Sequence, residues 1–356
     1  MSGILRRHAF SITFAALVLG YLLFSGSDSG ESGKSGEIVR FSGYTMGTSY
    51  DVQVVDLPET ITLDHASAAV ADLLQRLDRE IFSTYAPESE LSRFNALPVN
   101  QPFSASQELF DVLEMAQEIA ALSDGAFDVT VGPLVDLWGF GPDPRLPPDT
   151  VPSQADIEQA QAMTGHRYLQ LQPDSRTIIK TRSISVDLSA IAKGYAVDRV
   201  GDYFDSLGVQ SYFLEIGGEL KMKGLKPGGL SWVPAIEAPT DVATQIYEIF
   251  FSRGEQIAVA GSGDYRNYFE QDGRRYSHEI DPRTGAPITH SLAAAYVIDN
   301  TAARADGLAT ALMIMGVEQS VALANSIDQP IYLIYKDDDG TFSDYVNEAF
   351  SVYLDE

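Results

Sequence analysis

The order of the hydrophobic patterns constrains this chain more than any other feature. Between Ser211 and Ile280 one short extended run follows another: SYFLEI, ELKMKG, WVPAIE, IYEIFF, QIAVA, NYFEQ and RRYSHEI. These runs are rich in β-branched and aromatic residues, which favour strands, and Asp272-Gly273 between the last two suits a type I′ hairpin turn. Helical periodicity lies on both sides of them. An opening strand over Tyr50–Val55 precedes an amphipathic helix whose Val70, Leu73, Leu74, Leu77 and Ile81 repeat at three- and four-residue steps. A second helix is expected to begin at Ser104, with Gln107 completing a capping box, and to stop at Gly125. A third runs from Gln154 to Thr164. RYLQLQ and TIIKT read as extended, and a strand ending at Asp187 is expected to lead into a helix that stops at Gly208. A strand over Ala294–Ile298, helices over Ala303–Met315 and Glu318–Asn325, and a final pair of strands complete the chain. Strands and helices in mixed runs, without strict alternation, predict an α+β fold.

The first residues are different in kind. Arg6, Arg7 and His8 precede an apolar run from Ala9 to Phe24, and a Gly/Ser-rich tether follows. Residues 1–24 therefore read as a signal peptide or an N-terminal membrane anchor, residues 25–37 as a flexible linker, and residues 38–356 as one catalytic-sized unit with no internal repeat. The positive charge ahead of the apolar run favours a cytoplasmic N-terminus and a body facing outward. GESGKS in the tether imitates the end of a phosphate-binding loop, but Asp28 occupies the position of its first glycine and no strand precedes it.

Acidic residues outnumber basic ones 50 to 24, for a formal net charge of −26. Only Asp28 and Glu31 precede residue 37, so the acidity belongs to the body. Such a chain repels nucleic acid, and an anionic small molecule must be met by a local device such as a metal ion, a lone Lys or backbone N–H groups. The chain contains no cysteine, which excludes disulfides, cysteine-held zinc, iron–sulfur clusters, thiol nucleophiles and lipidation at a cysteine. Its five histidines, His8, His65, His166, His278 and His290, are scattered. Any metal is therefore expected to be a hard ion held by oxygen.

Five segments could carry chemistry. In ARADGLATALMIMG, Asp306 and Thr310 lie four apart, so a helix points both oxygens from one face and could seed a magnesium site; a solvated face fits the same spacing. In VDLSAIAKGY, Asp187 closes a strand and Lys193 falls in the first turns of a helix, where N–H groups attract anions; an N-capping segment with an exposed Lys fits equally. GAFDVTVGPLVDLWGFG and FLEIGGEL are dense in glycine, as backbone lying against a flat ligand would be, or as tight turns beneath a core would be. In SHEIDPRTG, His278 leaves the hairpin just before the turn-forming, mixed-charge run Asp281–Gly285. A histidine there could take a proton from a hydroxyl nucleophile, or could be structural.

Taken together, YTMGTSY, FSTYAPESELSRFN, GAFDVTVGPLVDLWGFG, VDLSAIAKGYAVD, FLEIGGEL, SGDYRNYFEQDGRRYSHEIDPRTG and ADGLATALMIMG stand in an order that resembles the ApbE family of FAD:protein FMN transferases, from about Tyr44 to Tyr353. The resemblance implies a two-lobed α+β fold with mixed or antiparallel sheets and FAD in a cleft. It implies that Met46, Tyr85, Ala126, Phe127, Asp128, Asp187, Lys193 and Ile280 border FAD, that Asp306, Thr310 and the carbonyl of Ala190 hold Mg2+, and that His278 is the catalytic base. It further implies Mg2+-dependent transfer of FMN from FAD to a Ser or Thr hydroxyl of a target protein, with release of AMP. The implied targets are membrane subunits of Na+-translocating NADH:quinone reductase or Rnf-type complexes, on the periplasmic side of a bacterial inner membrane. Two other readings keep the same site: a Mg2+-dependent FAD pyrophosphatase giving FMN and AMP, and a non-catalytic FAD-binding protein. Two features depart from the family pattern. The acceptor cysteine of its many lipoproteins is absent, and Gly261 stands before Ser262-Gly263-Asp264-Tyr265 where a side-chain-bearing residue such as Thr is common.

Overall fold

A computed structural model describes residues 36–141, 146–147, 150–240, 245–264, 268–271 and 274–355. The expected signal or anchor segment, most of the tether and the Asp272-Gly273 turn lie outside the described residues. The main sheet has eight strands: β1 (Ile38–Thr45), β2 (Thr48–Val55), β3 (Ser211–Ile216), β4 (Glu219–Lys223), β5 (Ile257–Gly263), β6 (Leu292–Asp299), β7 (Ile331–Lys336) and β8 (Phe342–Val346). Each strand lies beside the next one in the chain, and every neighbouring pair is antiparallel. The frame is thus a meander, and the helices are insertions into its connections.

Both faces of this sheet are covered. Tyr212, Leu214 and Ile216 pack toward the helices, whereas Phe213 packs on the other face with Met222, Trp232, Phe250 and Phe350. All six residues of β3 are therefore buried, which is why Tyr212, Phe213 and Leu214 are consecutive apolar residues instead of alternating with polar ones. The helical layer comprises α1 (Leu63–Gln75), α2 (Gln107–Leu122), α3 (Ala192–Ser206), α4 (Ala302–Met315) and α5 (Val317–Ser326). Helix α4 is apolar nearly all round because it is buried nearly all round, between the sheet and its neighbouring helices.

Helices α3 and α4 cross at Gly194, where an added Cβ would come within 2.3 Å of the Ala302 carbonyl oxygen. Asp198 on α3 accepts from the N–H groups of Ala302 and Ala303 at 3.0 and 2.9 Å and so caps α4 from another helix. Lys221 pairs with the same Asp198 at 2.7 Å, tying β4 to the crossing.

A second, smaller core joins Leu134, Leu137, Trp138, Ile157, Phe269 and Ile280. It is built from the short helices Gly132–Leu137 and Gln154–Gln161, the hairpin Tyr268–Gln271 with Arg274–Ser277, and the two-residue strands Ile280–Asp281 and Ala286–Pro287. The Trp138 indole N–H donates to the Gly285 carbonyl at 2.9 Å, and its ring stacks on Tyr276.

Several expectations need correction. β1 was not expected; its pairing with β2 turns at Met46-Gly47, both with positive φ, 47° and 75°. Helix α2 is capped by Ser106, not Ser104, because Ser104 is taken into a strand pairing with Thr177, and Ser106 accepts from the Leu109 N–H. The segment before Asp187 is not a strand. The side-chain amide of Asn95 takes the place of a partner strand, donating to the Val186 carbonyl and accepting from its N–H, both at 2.8 Å. Helix α1 continues over Arg76–Phe82 as a wider π-type turn that still buries Leu77 and Ile81.

Candidate active site

A cleft of about 450 Å3 opens between the main body and the smaller core, within the size range of small-molecule sites. Of the residues expected to form a site, Tyr85, Ala126, Phe127, Asp128, Asp187, Ala190, Lys193, His278, Ile280, Asp306 and Thr310 all line it. Met46 does not: it packs against the main core at the β1–β2 turn, its N–H 3.4 Å from Asp78 Oδ2.

The floor is built by α3, α4 and the β3–β4 turn. Asp306 and Thr310 are one turn apart on α4, as their spacing required. Asp306 Oδ2 accepts from the Gly194 N–H at 3.1 Å and lies 3.9 Å from the Lys193 ammonium. That ammonium donates instead to Glu219 Oε1, at 2.8 Å. Glu219 opens β4 directly after Gly217 and Gly218, whose φ values are 63° and 108°. A Cβ on Gly217 would meet Thr48 at 2.7 Å and Lys193 Cδ at 3.2 Å, so this turn admits only glycine beside the Lys193 stem. Burial alone would lower the Lys193 pKa, but Asp306 and Glu219 outweigh it and raise it, so the group stays an ammonium. Burial raises the Asp306 carboxyl, and Lys193 offsets this only in part.

Two of the anion-attracting N–H groups expected at the start of α3 are already spent. The Ala192 N–H bonds to the Leu188 carbonyl and the Gly194 N–H to Asp306, so attraction for an anion rests on the Lys193 charge. Asp128 and Asp187 also turn partly inward. Both Asp128 oxygens are held, one by the Thr130 N–H and hydroxyl and the other by the His166 N–H, each at 2.7 Å. Asp187 Oδ1 accepts from the Ser189 N–H at 2.7 Å. Their visible role is to shape the wall. Apolar groups complete that wall: Phe127, Val129, Val131, Val135, Phe140 and Ile280, with Tyr85 mostly exposed at the mouth. Such a lining suits a flat ring system.

His278 stands on the smaller-core side of the cleft with its side chain 33% exposed, and its ring is edge-on to Phe140 at 6.3 Å. Its Nε2 is 3.6 Å from Oε1 of the buried Glu279, which also accepts from the Ser262 hydroxyl at 2.8 Å. The glycine at 261 has a local cause, since a Cβ there would come within 2.6 Å of the Tyr296 ring.

No group of three or more His, Asp and Glu side chains suited to a metal occurs among the described residues. A cation here would therefore combine the Asp306 carboxylate with neutral oxygens such as the Thr310 hydroxyl and the Ala190 carbonyl. The floor fits that donor set. Asp306 Oδ1 has no protein partner among the described residues, and two carboxyl groups face one ammonium. A hard divalent ion satisfies oxygen donors and the excess negative charge together. Sequence reading passed over Glu219 and Glu279. The signal for Glu219 was its place after a double glycine at a strand end, and the signal for Glu279 was its adjacency to His278.

The model of the ApbE family matches residues 46–334. An FAD:protein FMN transferase of Vibrio cholerae is 43% identical over 322 residues, covering 90% of this chain and 94% of that protein. One from Escherichia coli is 34% identical over 352 residues, covering 97% and 98%. The crystallised flavin transferase ApbE from Vibrio cholerae superposes with a TM-score of 0.81 at 41% identity, covering 90% of this chain and all of that one. The apo form of the Pseudomonas stutzeri flavinyl transferase ApbE gives 0.80 at 41% identity, covering 90% and 97%.

Proposed function

The chain belongs to the ApbE family, and from that premise we propose that it is an FAD:protein FMN transferase which moves FMN from FAD to a Ser or Thr hydroxyl of a target protein and releases AMP. The observation that carries this reading is the convergence, in one cleft, of a partly exposed His278 with the charged floor of Lys193, Asp306 and Thr310.

In this mechanism FAD lies with its flat ring against the apolar wall and its diphosphate over the floor. The acceptor hydroxyl attacks the FMN-side phosphorus, the bond from that phosphorus to the bridging oxygen breaks, and AMP leaves with that oxygen. The hydroxyl proton passes to His278, whose ring is steadied by Phe140 and by the buried Glu279. Lys193 holds a positive charge against the diphosphate in a protein that is otherwise strongly negative. Asp306, Thr310 and the Ala190 carbonyl would hold Mg2+, which would supply further charge neutralisation to the diphosphate. Positioning and electrostatics carry most of phosphoryl transfer, so few side chains suffice.

The targets we propose are membrane subunits of Na+-translocating NADH:quinone reductase or Rnf-type complexes, met on the periplasmic side of an inner membrane to which residues 1–24 direct or anchor the chain. The apolar run Ala9–Phe24 behind Arg6 and Arg7 supports that placement. Incubation with FAD, Mg2+ and such an acceptor tests the reading: a fluorescent flavin band should survive denaturing electrophoresis, with AMP formed in equal amount. Free FMN with no labelled acceptor would identify a hydrolase, and intact FAD a binding protein.

A further inference from the structure

Lys193 faces two carboxylates and donates to only one of them. Its ammonium is 2.8 Å from Glu219 Oε1 and 3.9 Å from Asp306 Oδ2. Glu219 is 3% exposed, and its other oxygen, Oε2, is buried without a hydrogen-bond partner. Leaving such an oxygen unmatched costs about 1–3 kcal/mol, so an orphaned carboxylate oxygen in a ligand cleft calls for a function. The backbone around it is committed to keeping it there. Gly217 and Gly218 hold left-handed φ values, and the Gly217 Cα is close enough to the Lys193 stem that a Cβ would touch it.

Asp306 has a conflict to resolve. A cation ligand is useful only while its charge is not already neutralised, and the Lys193 ammonium, 3.9 Å away on the crossing helix, competes for it. Among the described residues Glu219 is the side chain that accepts a hydrogen bond from Lys193, so without it the ammonium and Asp306 would close into a direct pair. With Glu219 present the ammonium donates to Glu219 instead, and Asp306 keeps an oxygen, Oδ1, without a protein partner among the described residues.

We infer that Glu219 is a positioning residue that holds Lys193 off Asp306, so that the same floor can carry both a fixed ammonium for the diphosphate and a carboxylate for a divalent cation. The inference rests on the proposed cation site at Asp306. It assigns Glu219 no contact with the metal and no proton transfer; its action is to set where the Lys193 charge lies. Outer-shell partners of metal ligands typically change metal affinity 10- to 100-fold when lost, and that sets the size of the expected effect.

The test uses the purified full chain and Mn2+ alone as the probe, titrated by electron paramagnetic resonance of the free ion, with no flavin and no turnover. Wild-type protein should bind one Mn2+ and Asp306→Asn should not; failure of that pair would refute the cation site itself and the inference with it. Given that binding, Glu219→Gln should weaken Mn2+ by about 10-fold or more, and the double variant Lys193→Met with Glu219→Gln should regain most of the loss, because the competitor has gone. Glu219→Gln binding Mn2+ as tightly as wild type would overturn the inference while leaving the cation site standing. A double variant no better than Glu219→Gln would overturn it too, by showing that Glu219 does not act through Lys193. Near-ultraviolet circular dichroism of each variant identifies any that misfolds, and Glu219→Asp, which keeps the charge on a shorter stem, should fall between wild type and Glu219→Gln.

Discussion

The two walls of the cleft are built by opposite means. The floor stands on the crossing of α3 and α4, where Gly194 permits contact of the backbones, Asp198 caps one helix from the other, and nearly every α4 side chain is buried. The His278 wall stands on strands of two and four residues over a small core, and His278 itself is a third exposed. The difference separates tasks. Charged groups that must stay apart in a dry floor need a frame that cannot relax, whereas in the proposed reaction His278 has to be reachable by the hydroxyl of another protein.

This contrast can be broken from either side. The largest effect is expected at the open wall: His278→Ala should lower FMN transfer by about 10^2- to 10^4-fold, measured as flavin fluorescence on the acceptor, with FAD affinity by equilibrium dialysis nearly unchanged. Undiminished transfer would remove His278 from the reaction. On the rigid side, Gly194→Val forces a side chain against the Ala302 carbonyl, which cannot move without parting the helices, and should cost about 3 kcal/mol in denaturant unfolding. A cost below about 0.5 kcal/mol would show that the crossing is not the stiff element described.

A third test concerns pH. Burial pushes the Glu215 carboxyl from the ordinary 4.5 up to about 7, its Oε1 accepting from the Gly218 N–H at 2.8 Å. Between those values the unfolded chain releases a proton that the folded chain retains, so stability falls as pH rises from about 4.5 to about 7 and is level above. The drop is roughly 3 kcal/mol at most by linkage, and Glu215→Gln should flatten it in unfolding curves taken across that range; an unchanged slope would assign it to other groups. The smallest effect is expected in the minor core. Trp138→Phe removes the bond to the Gly285 carbonyl, worth about 1 kcal/mol, and should speed amide exchange over residues 280–287 while α3 and α4 stay protected. Faster exchange in both regions would mean that the two walls are one cooperative unit.

What was legible in sequence follows the same division. Local periodicity exposed α1 and α4, and the four-residue step from Asp306 to Thr310 survived intact because a helix fixes it. The strand runs from Ser211 onward were read in the right order, and the α+β class with them. What escaped depended on partners distant in sequence. The segment before Asp187 looked like a strand until Asn95 took the partner's place, and Ser104 looked like a cap until Thr177 drew it into a ladder. β1 hid because its alternation is interrupted by Ser42 and Gly43, and only its pairing with β2 makes it a strand. Resemblance, not spacing, united His278 with Asp306, and the cleft brings both to one cavity. Glu219 had only its place after a double glycine to mark it, since its meaning lies in Lys193, which is 26 residues away in the chain.

Diffraction from crystals soaked with FAD and Mn2+, read by anomalous scattering, examines the joint action of the two walls most directly. The account predicts one Mn2+ peak bound by Asp306 and Thr310, with the diphosphate over Lys193 and the FMN-side phosphorus facing His278. A peak elsewhere, or a diphosphate turned away from His278 with the floor empty of metal, would contradict it.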